Sequence, residues 1–345
     1  MVKDLNSLPE LNDIIEFDDS LFEVVGTSEE NVEKLETAPY SYWKSVFRQL
    51  LKNKIALICA VIVSIIVLFT IFGPMIHSNN HIFREYYPTG QLTALKPFSF
   101  HEVKDGLVYF LPFGSAYNGR DLWTMIWTGA RFSLLLAVVS SLINVVVGIV
   151  VGGLWGYIRK LDPIMIEISN IISNIPSLLI YILILKLLPS SGDSIYNAFW
   201  NSVLVMTIFG WMGLASTMRN QIIIIRNREF NVASECLGSN PVTIIIHNLL
   251  PNLVSIIAQI VVDYIPASIS TEVSLMFFGA LALPTGSYSL GQVLNDAFNK
   301  MNLGRALDGN LHTIIIPSVV MILITLSFFY FGLALADATD PKKHR

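Results

Sequence analysis

The sequence predicts an all-α polytopic membrane protein built as a bundle of six transmembrane helices, and three observations predict it. Of the 345 residues, 53% are hydrophobic and only 14% are charged, with a mean hydropathy of +0.59; soluble globular chains carry about 25% charged residues. Six segments are long and apolar enough to cross about 30 Å of hydrocarbon. Lys and Arg cluster beside the ends of these segments and divide unevenly between the two sides. Helices are the default for such spans, because a bilayer offers no water to unpaired backbone groups.

The chain opens on an acidic extension, residues 1–41. Its first forty residues hold eleven Asp and Glu against Lys3 and Lys34, a net charge of −9, and the remainder of the chain carries +5 of the overall −4. With few aromatics and no sustained periodicity, the extension reads as a mobile cytoplasmic tail or a loosely docked arm. It is no signal peptide, since the first apolar run begins only near Ile55. Residues 42–345 form the membrane domain, with spans expected at 54–76, 132–158, 164–188, 197–217, 252–280 and 313–336. With the N-terminus inside, the short inner segments hold twelve Lys and Arg, among them Arg159, Lys160, Arg219 and Arg226. The longer outer segments, 77–131 and 281–312, hold seven, with Lys186 an eighth near the outer end of the third span, so both termini are expected in the cytoplasm.

Within the second span, Ser140, Asn144, Gly148, Gly152 and Gly156 recur every four residues. A stripe of small residues lets a neighbouring helix approach closely, and packing is the reading preferred over a pore-lining role for Asn144. Asp263 falls near the middle of the fifth span, where a carboxylate costs about 2.5–3.5 kcal/mol on insertion scales. It is a candidate for the translocation path, with a buried structural hydrogen bond as the equal alternative. Pro266, one turn on, is expected to kink that helix. Glu272 lies nearer the outer end and is expected to snorkel or to pair with another chain. Glu167 suits the acid-favouring N-terminal end of the third span.

Between the fourth and fifth spans, the segment 219–251 contains a short polar helix-turn-helix. Gly238 falls just past a helix end, where positive φ favours glycine. Asn240 is placed to cap the next helix and Pro241 suits its first position. Leu250-Pro251 ends that helix and opens the fifth span. Such a knob on the inner side is a docking element for another protein.

The chain carries no motor or catalyst of its own. It lacks Gly-x-x-x-x-Gly-Lys-Ser/Thr and Gly-x-Ser-x-Gly, and His101-Glu102 is not followed by the second histidine of a zinc-protease helix. Cys59 and Cys236 are too differently placed to pair. His77 and His81, in the outer loop, are expected to be solvated rather than metal-binding. No cofactor, resident metal or nucleic-acid partner is expected.

The helix-turn-helix resembles the EAA loop of ABC-importer membrane subunits. Aligned on Gly238, the chain has Val232-Ala233-Ser234 where the pattern has Glu-Ala-Ala, Asn248 where it has Ile, and then Leu250-Pro251 for its Leu-Pro. Further segments are similar to oligopeptide/dipeptide permeases: Gly119-Arg120-Asp121 with Gly129-Ala130-Arg131-Phe132-Ser133-Leu134; Asp162 with Asn174-Ile175-Pro176-Ser177-Leu178-Leu179; Thr271 through Gly279; and Asp337-Ala338-Thr339-Asp340-Pro341. The resemblance, to the C-type subunit over about residues 40–341, implies a type I ABC importer permease in a prokaryotic cell membrane. It further implies a second homologous permease subunit, two cytoplasmic ABC ATPases that hydrolyse ATP, and an extracellular peptide-binding lipoprotein. Under it, Ala233, Ser234, Gly238, Pro241, Ile244, Ile245, Leu250 and Pro251 form the ATPase-coupling loop. The candidate path is Asp263, Asn144 and Glu272. The alternatives are an ion-coupled secondary transporter, or a member of the same family carrying nickel or sugars.

Overall fold

The structure is a computed structural model describing residues 42–76, 95–102, 108–117, 120–189, 194–227, 229, 234, 236–240, 243–244, 250–300 and 310–339. The acidic extension, most of the first outer loop with His77 and His81, and Ala233, Pro241 and Ile245 lie outside the described residues. The helices are α1 (Tyr42–Lys52), α2 (Lys54–Ile76), α3 (Leu122–Tyr157), α4 (Asp162–Asn174), α5 (Ser177–Leu187) and α6 (Ile195–Ile208). They continue with α7 (Trp211–Arg226), α8 (Leu250–Phe277), α9 (Leu290–Lys300) and α10 (His312–Thr339). Five spans are single long apolar stretches, counting α6 and α7 together, and the α4–α5 pair makes a bent sixth. Five of the six expected spans are therefore present as apolar helices of membrane-crossing length, and the expected third is a bent pair.

The first span agrees with expectation, and its weak point is repaired from outside. Pro74 lies inside α2 and has no N–H for the carbonyl of Thr70 one turn back. Arg131 fills that role: its Nε donates to Thr70 O at 2.9 Å and its Nη2 to Ile71 O at 2.9 Å. Trp123 Nε1 donates to Gly73 O at 3.0 Å. The second span starts ten residues earlier than expected, at Leu122, because Arg131 is absorbed in this way instead of ending the helix. Asp121 caps it, accepting from the backbone N–H of Trp123 and of Thr124 at 3.2 and 3.1 Å.

The third expected span is broken. Pro176 forces Ile175 to φ −96°, ψ 128°, out of the helical region, and α4 and α5 meet at 84°. The fourth is also two helices, α6 and α7, separated at Phe209–Gly210 and running on to Arg226. Its interrupted carbonyls find side-chain donors: Asn144 Nδ2 to Met206 O at 3.4 Å, Trp211 Nε1 to Ile208 O at 2.9 Å, and Tyr264 OH to Gly210 O at 2.7 Å. Non-helical backbone at this depth is tolerated where such donors reach it.

The α2–α3 and α8–α10 connections have structure that was not expected of them. In the first, β1 (Ser99–Glu102) pairs antiparallel with β2 (Val108–Leu111), Phe100 opposite Phe110. In the second, α9 begins at Ser289, whose Oγ accepts from Gln292 N at 3.1 Å.

The core runs along the bundle axis. Near the β-hairpin it holds Leu122, Met125, Ile126, Ile269, Leu290 and Ile324. At the end where α7 stops and α8 starts it holds Val145, Leu214, Met218, Ile222 and Leu253. The glycine stripe of α3 explains the closeness there. A Cβ at Gly148 would stand 2.7 Å from Leu214, one at Gly152 2.6 Å from the Ala215 carbonyl, and one at Gly156 2.9 Å from Ile222. The stripe is a packing face for α7.

Candidate functional site

The segment between α7 and α8 has the turn its sequence predicts. Gly238 adopts φ +80°, and Ser239 N–H donates back to Ser234 O at 3.1 Å, the six-to-one bond that closes a helix on a left-handed glycine. The Asn240 carbonyl then accepts from Ile244 N–H at 3.1 Å, as the residue before a new helix does. Leu237 stands out at 87% exposed, beside the free and exposed Cys236. Leu250 and Pro251 open α8, where a proline in the first turn forfeits no helical bond.

One expectation is corrected. Ile244, read as a contact for an outside partner, is 2% exposed and packs with Val145, Leu214, Met218, Ile222 and Leu253. Ile244 faces its own bundle because α3, α7 and α8 leave an apolar floor there. What the hairpin presents outward, among the described residues, is Cys236 through Asn240 and Thr243.

Beneath the hairpin lies a clamp for which the sequence reading had no role. Arg219 on α7 grips Asp162 at the start of α4 with two bonds, Nε to Oδ1 at 2.8 Å and Nη2 to Oδ2 at 2.7 Å. Trp155 Nε1 donates to the same Oδ1 at 2.9 Å, and the guanidinium lies over the Trp155 ring at 5.7 Å. Two turns on, Arg226 Nη1 donates to Gly156 O at 3.0 Å and Tyr157 O at 2.9 Å, satisfying final carbonyls of α3. Arg219 and Arg226 were read only as markers of membrane orientation. Their seven-residue spacing on one helix face was the available signal.

The three candidate path residues do not come together. Asn144 is buried at the α6–α7 break, donating to Met206 O, with Gly210 packed against its amide. Glu272 neither snorkels nor waits for another chain. It is fully buried, its Oε2 accepting from Ser133 OH at 2.8 Å and its Oε1 from Ser289 OH at 2.5 Å. Ser133 Oγ in turn accepts from Leu290 N at 3.0 Å. Glu272 thus ties α8 to α3 and to the start of α9, and its physical reason for being inside is this set of donors. Asp263 differs: its Oδ1 is buried yet has no hydrogen-bond partner among the described residues. Its neighbours in sequence are committed elsewhere, Val262 against Gly332 on α10 and Tyr264 to Gly210. No cluster of metal-binding side chains occurs among the described residues.

Comparisons with known proteins agree with this architecture. Residues 144–345 match the family described as binding-protein-dependent transport system inner membrane component, and residues 41–96 match the N-terminal transmembrane domain of oligopeptide transport permease C. The chain is 35% identical to the oligopeptide transport system permease protein AmiD of Streptococcus pneumoniae over 95% of its length and 99% of that protein. It is 29% identical to the oligopeptide permease protein OppC of Bacillus subtilis, covering 94% of this chain and 97% of that one. With the dipeptide permease protein DppC of Bacillus subtilis it shares 31% identity over 88% of this chain and 87% of that one.

Proposed function

Because the chain belongs to the family of binding-protein-dependent transport system inner membrane components, the membrane permeases of ABC importers, we propose that it forms half of the pore of a peptide importer. The observation that carries this reading is the match along nearly the whole chain to oligopeptide and dipeptide permeases, on a bundle whose α7–α8 connection turns at Gly238. The hairpin end faces the cytoplasm, with both termini, as the greater number of Lys and Arg there favours. The other half of the pore is a second homologous permease. An extracellular peptide-binding lipoprotein delivers the solute, and two cytoplasmic ATPases supply the motion.

In this mechanism an ATPase grips the turn around Ser234, Leu237 and Gly238. ATP binding draws the two ATPases together and displaces both hairpins. Ile244 seats the hairpin on the core, while Arg219 and Arg226 fasten α7 to α3 and α4. The displacement therefore passes into the bundle as a rigid-body shift rather than being absorbed in a loose loop. The two access states differ in energy by what the ATPases contribute, and the permease itself only changes shape. Asp263, the one candidate path residue with an open carboxylate oxygen, meets the amino group of the solute.

The test is reconstitution of the four-subunit membrane complex with its binding protein in proteoliposomes. ATP-dependent accumulation of labelled peptide, absent when any ATPase is omitted, is the expected result. Uptake by this chain alone, driven by a proton gradient, would show a secondary transporter. ATP-driven uptake of nickel or sugar but not peptide would keep the family and replace the solute.

A further inference from the structure

The face of α8 that the rest of the chain leaves uncovered is unlike that of the other spans. Elsewhere the uncovered faces carry large apolar side chains, such as Ile58, Leu68 and Phe72 on α2, Leu142 and Val146 on α3, or Ile322 and Leu326 on α10. On α8, among the described residues, no large hydrophobic is exposed before Phe277. Asp263, Ala267, Ser270, Thr271 and Ser274 stand there instead, at spacings of four, seven, eight and eleven residues, which place them on one helical face. Lipid gives no compensation to such a face, so it borders water or another polar surface.

A groove of about 180 Å³ opens between this face and α5, lined by Ser177, Leu178, Tyr181, Ser270, Thr271 and Ser274. The three α8 hydroxyls already donate within their own helix, to Pro266 O at 3.0 Å, Ala267 O at 2.9 Å and Ser270 O at 2.8 Å. Each oxygen therefore turns acceptor lone pairs toward the groove, and none carries a charge. A wall of this kind suits the N–H groups of a peptide backbone and is indifferent to side-chain identity. Asp263 lies seven to eleven residues back along the helix, roughly 10–17 Å at 1.5 Å per residue. That is the length of about three to five extended residues.

We infer that the α5–α8 groove is a main-chain subsite on the translocation path, where the amides of an extended peptide bond to Ser270, Thr271 and Ser274 with its amino terminus toward Asp263. The inference rests on the peptide-import reading above. In the complete reconstituted importer, the triple variant Ser270→Ala/Thr271→Val/Ser274→Ala should lower tetrapeptide uptake by about tenfold. Complex yield and basal ATP hydrolysis should be unchanged, because the hydroxyls removed bind only their own helix. A second measurement uses Thr271→Cys with Cys236→Ala, Cys59 being buried. A membrane-impermeant thiol reagent should modify Cys at this position during turnover, and saturating tetrapeptide should slow it. Wild-type uptake by the triple variant, or modification that is absent or unaffected by peptide, overturns the subsite. A wild-type complex that imports no peptide at all instead refutes the reading on which it rests.

Discussion

Gly238 has φ +80° and, among the described residues, no atom within 4 Å of where a Cβ would stand, so a larger residue there meets backbone strain. Gly238→Val should cost on the order of 1–2 kcal/mol locally, leaving membrane insertion intact while lowering uptake per ATP hydrolysed. Gly238→Asn should be milder, since Asn tolerates the left-handed region. Equal coupling ratios for wild type and the Val variant would remove the turn from the mechanism. Glu272 makes the opposite case, a residue whose effect lies inside the chain. Glu272→Ala strands the hydroxyls of Ser133 and Ser289 in the core and should cost roughly 2–4 kcal/mol, read as a lower unfolding temperature in detergent. The turn was legible from Gly238 and Asn240 because it is local chemistry. The site of Glu272 was not, because its partners are 139 and 17 residues away in sequence.

Among elements, the contact of α3 with α7 is set by glycines and closed by arginines. Gly152→Leu puts a side chain where a Cβ alone is 2.6 Å from backbone. It should push the helices apart and abolish assembly, with loss of the protein from membranes as the measurement. Arg219→Ala should be subtler: the bundle assembles, but hydrolysis continues with uptake reduced, because the hairpin is no longer fastened to α4. Arg219→Lys should restore little, as a single ammonium cannot bridge both Asp162 oxygens. A double variant with Asp162→Ala that is no worse than either single one would show the pair acting as a unit. The glycine stripe announced its packing role in the sequence. The break at Pro176 was also signalled, by the proline itself, yet hydropathy alone ran through it. The α6–α7 break left no such mark, since Phe209 and Gly210 are unremarkable within an apolar run.

For the molecule as a whole, the first and last spans followed closely from hydropathy, while the start of the second and the end of the fourth lay nine or ten residues beyond the expected limits. The first outer connection was opaque, because a short strand pair in a polar loop carries too weak a pattern to separate from irregular chain. The proposed orientation is open to direct measurement: in cells lacking the ATPases, exposed Cys236 should react with an impermeant maleimide in inside-out vesicles and be silent in intact cells. Reaction in intact cells would invert the topology and end the coupling mechanism. The interruption at Phe209–Gly210 has a further consequence for how such a body deforms. Three side chains, from α3, from α7 and from α8, already satisfy the carbonyls it leaves. Met212 N–H also donates across the break to Phe209 O at 3.2 Å. In the proposed cycle the fourth span therefore acts as one lever, carrying a pull on the hairpin past the break to its upper arm.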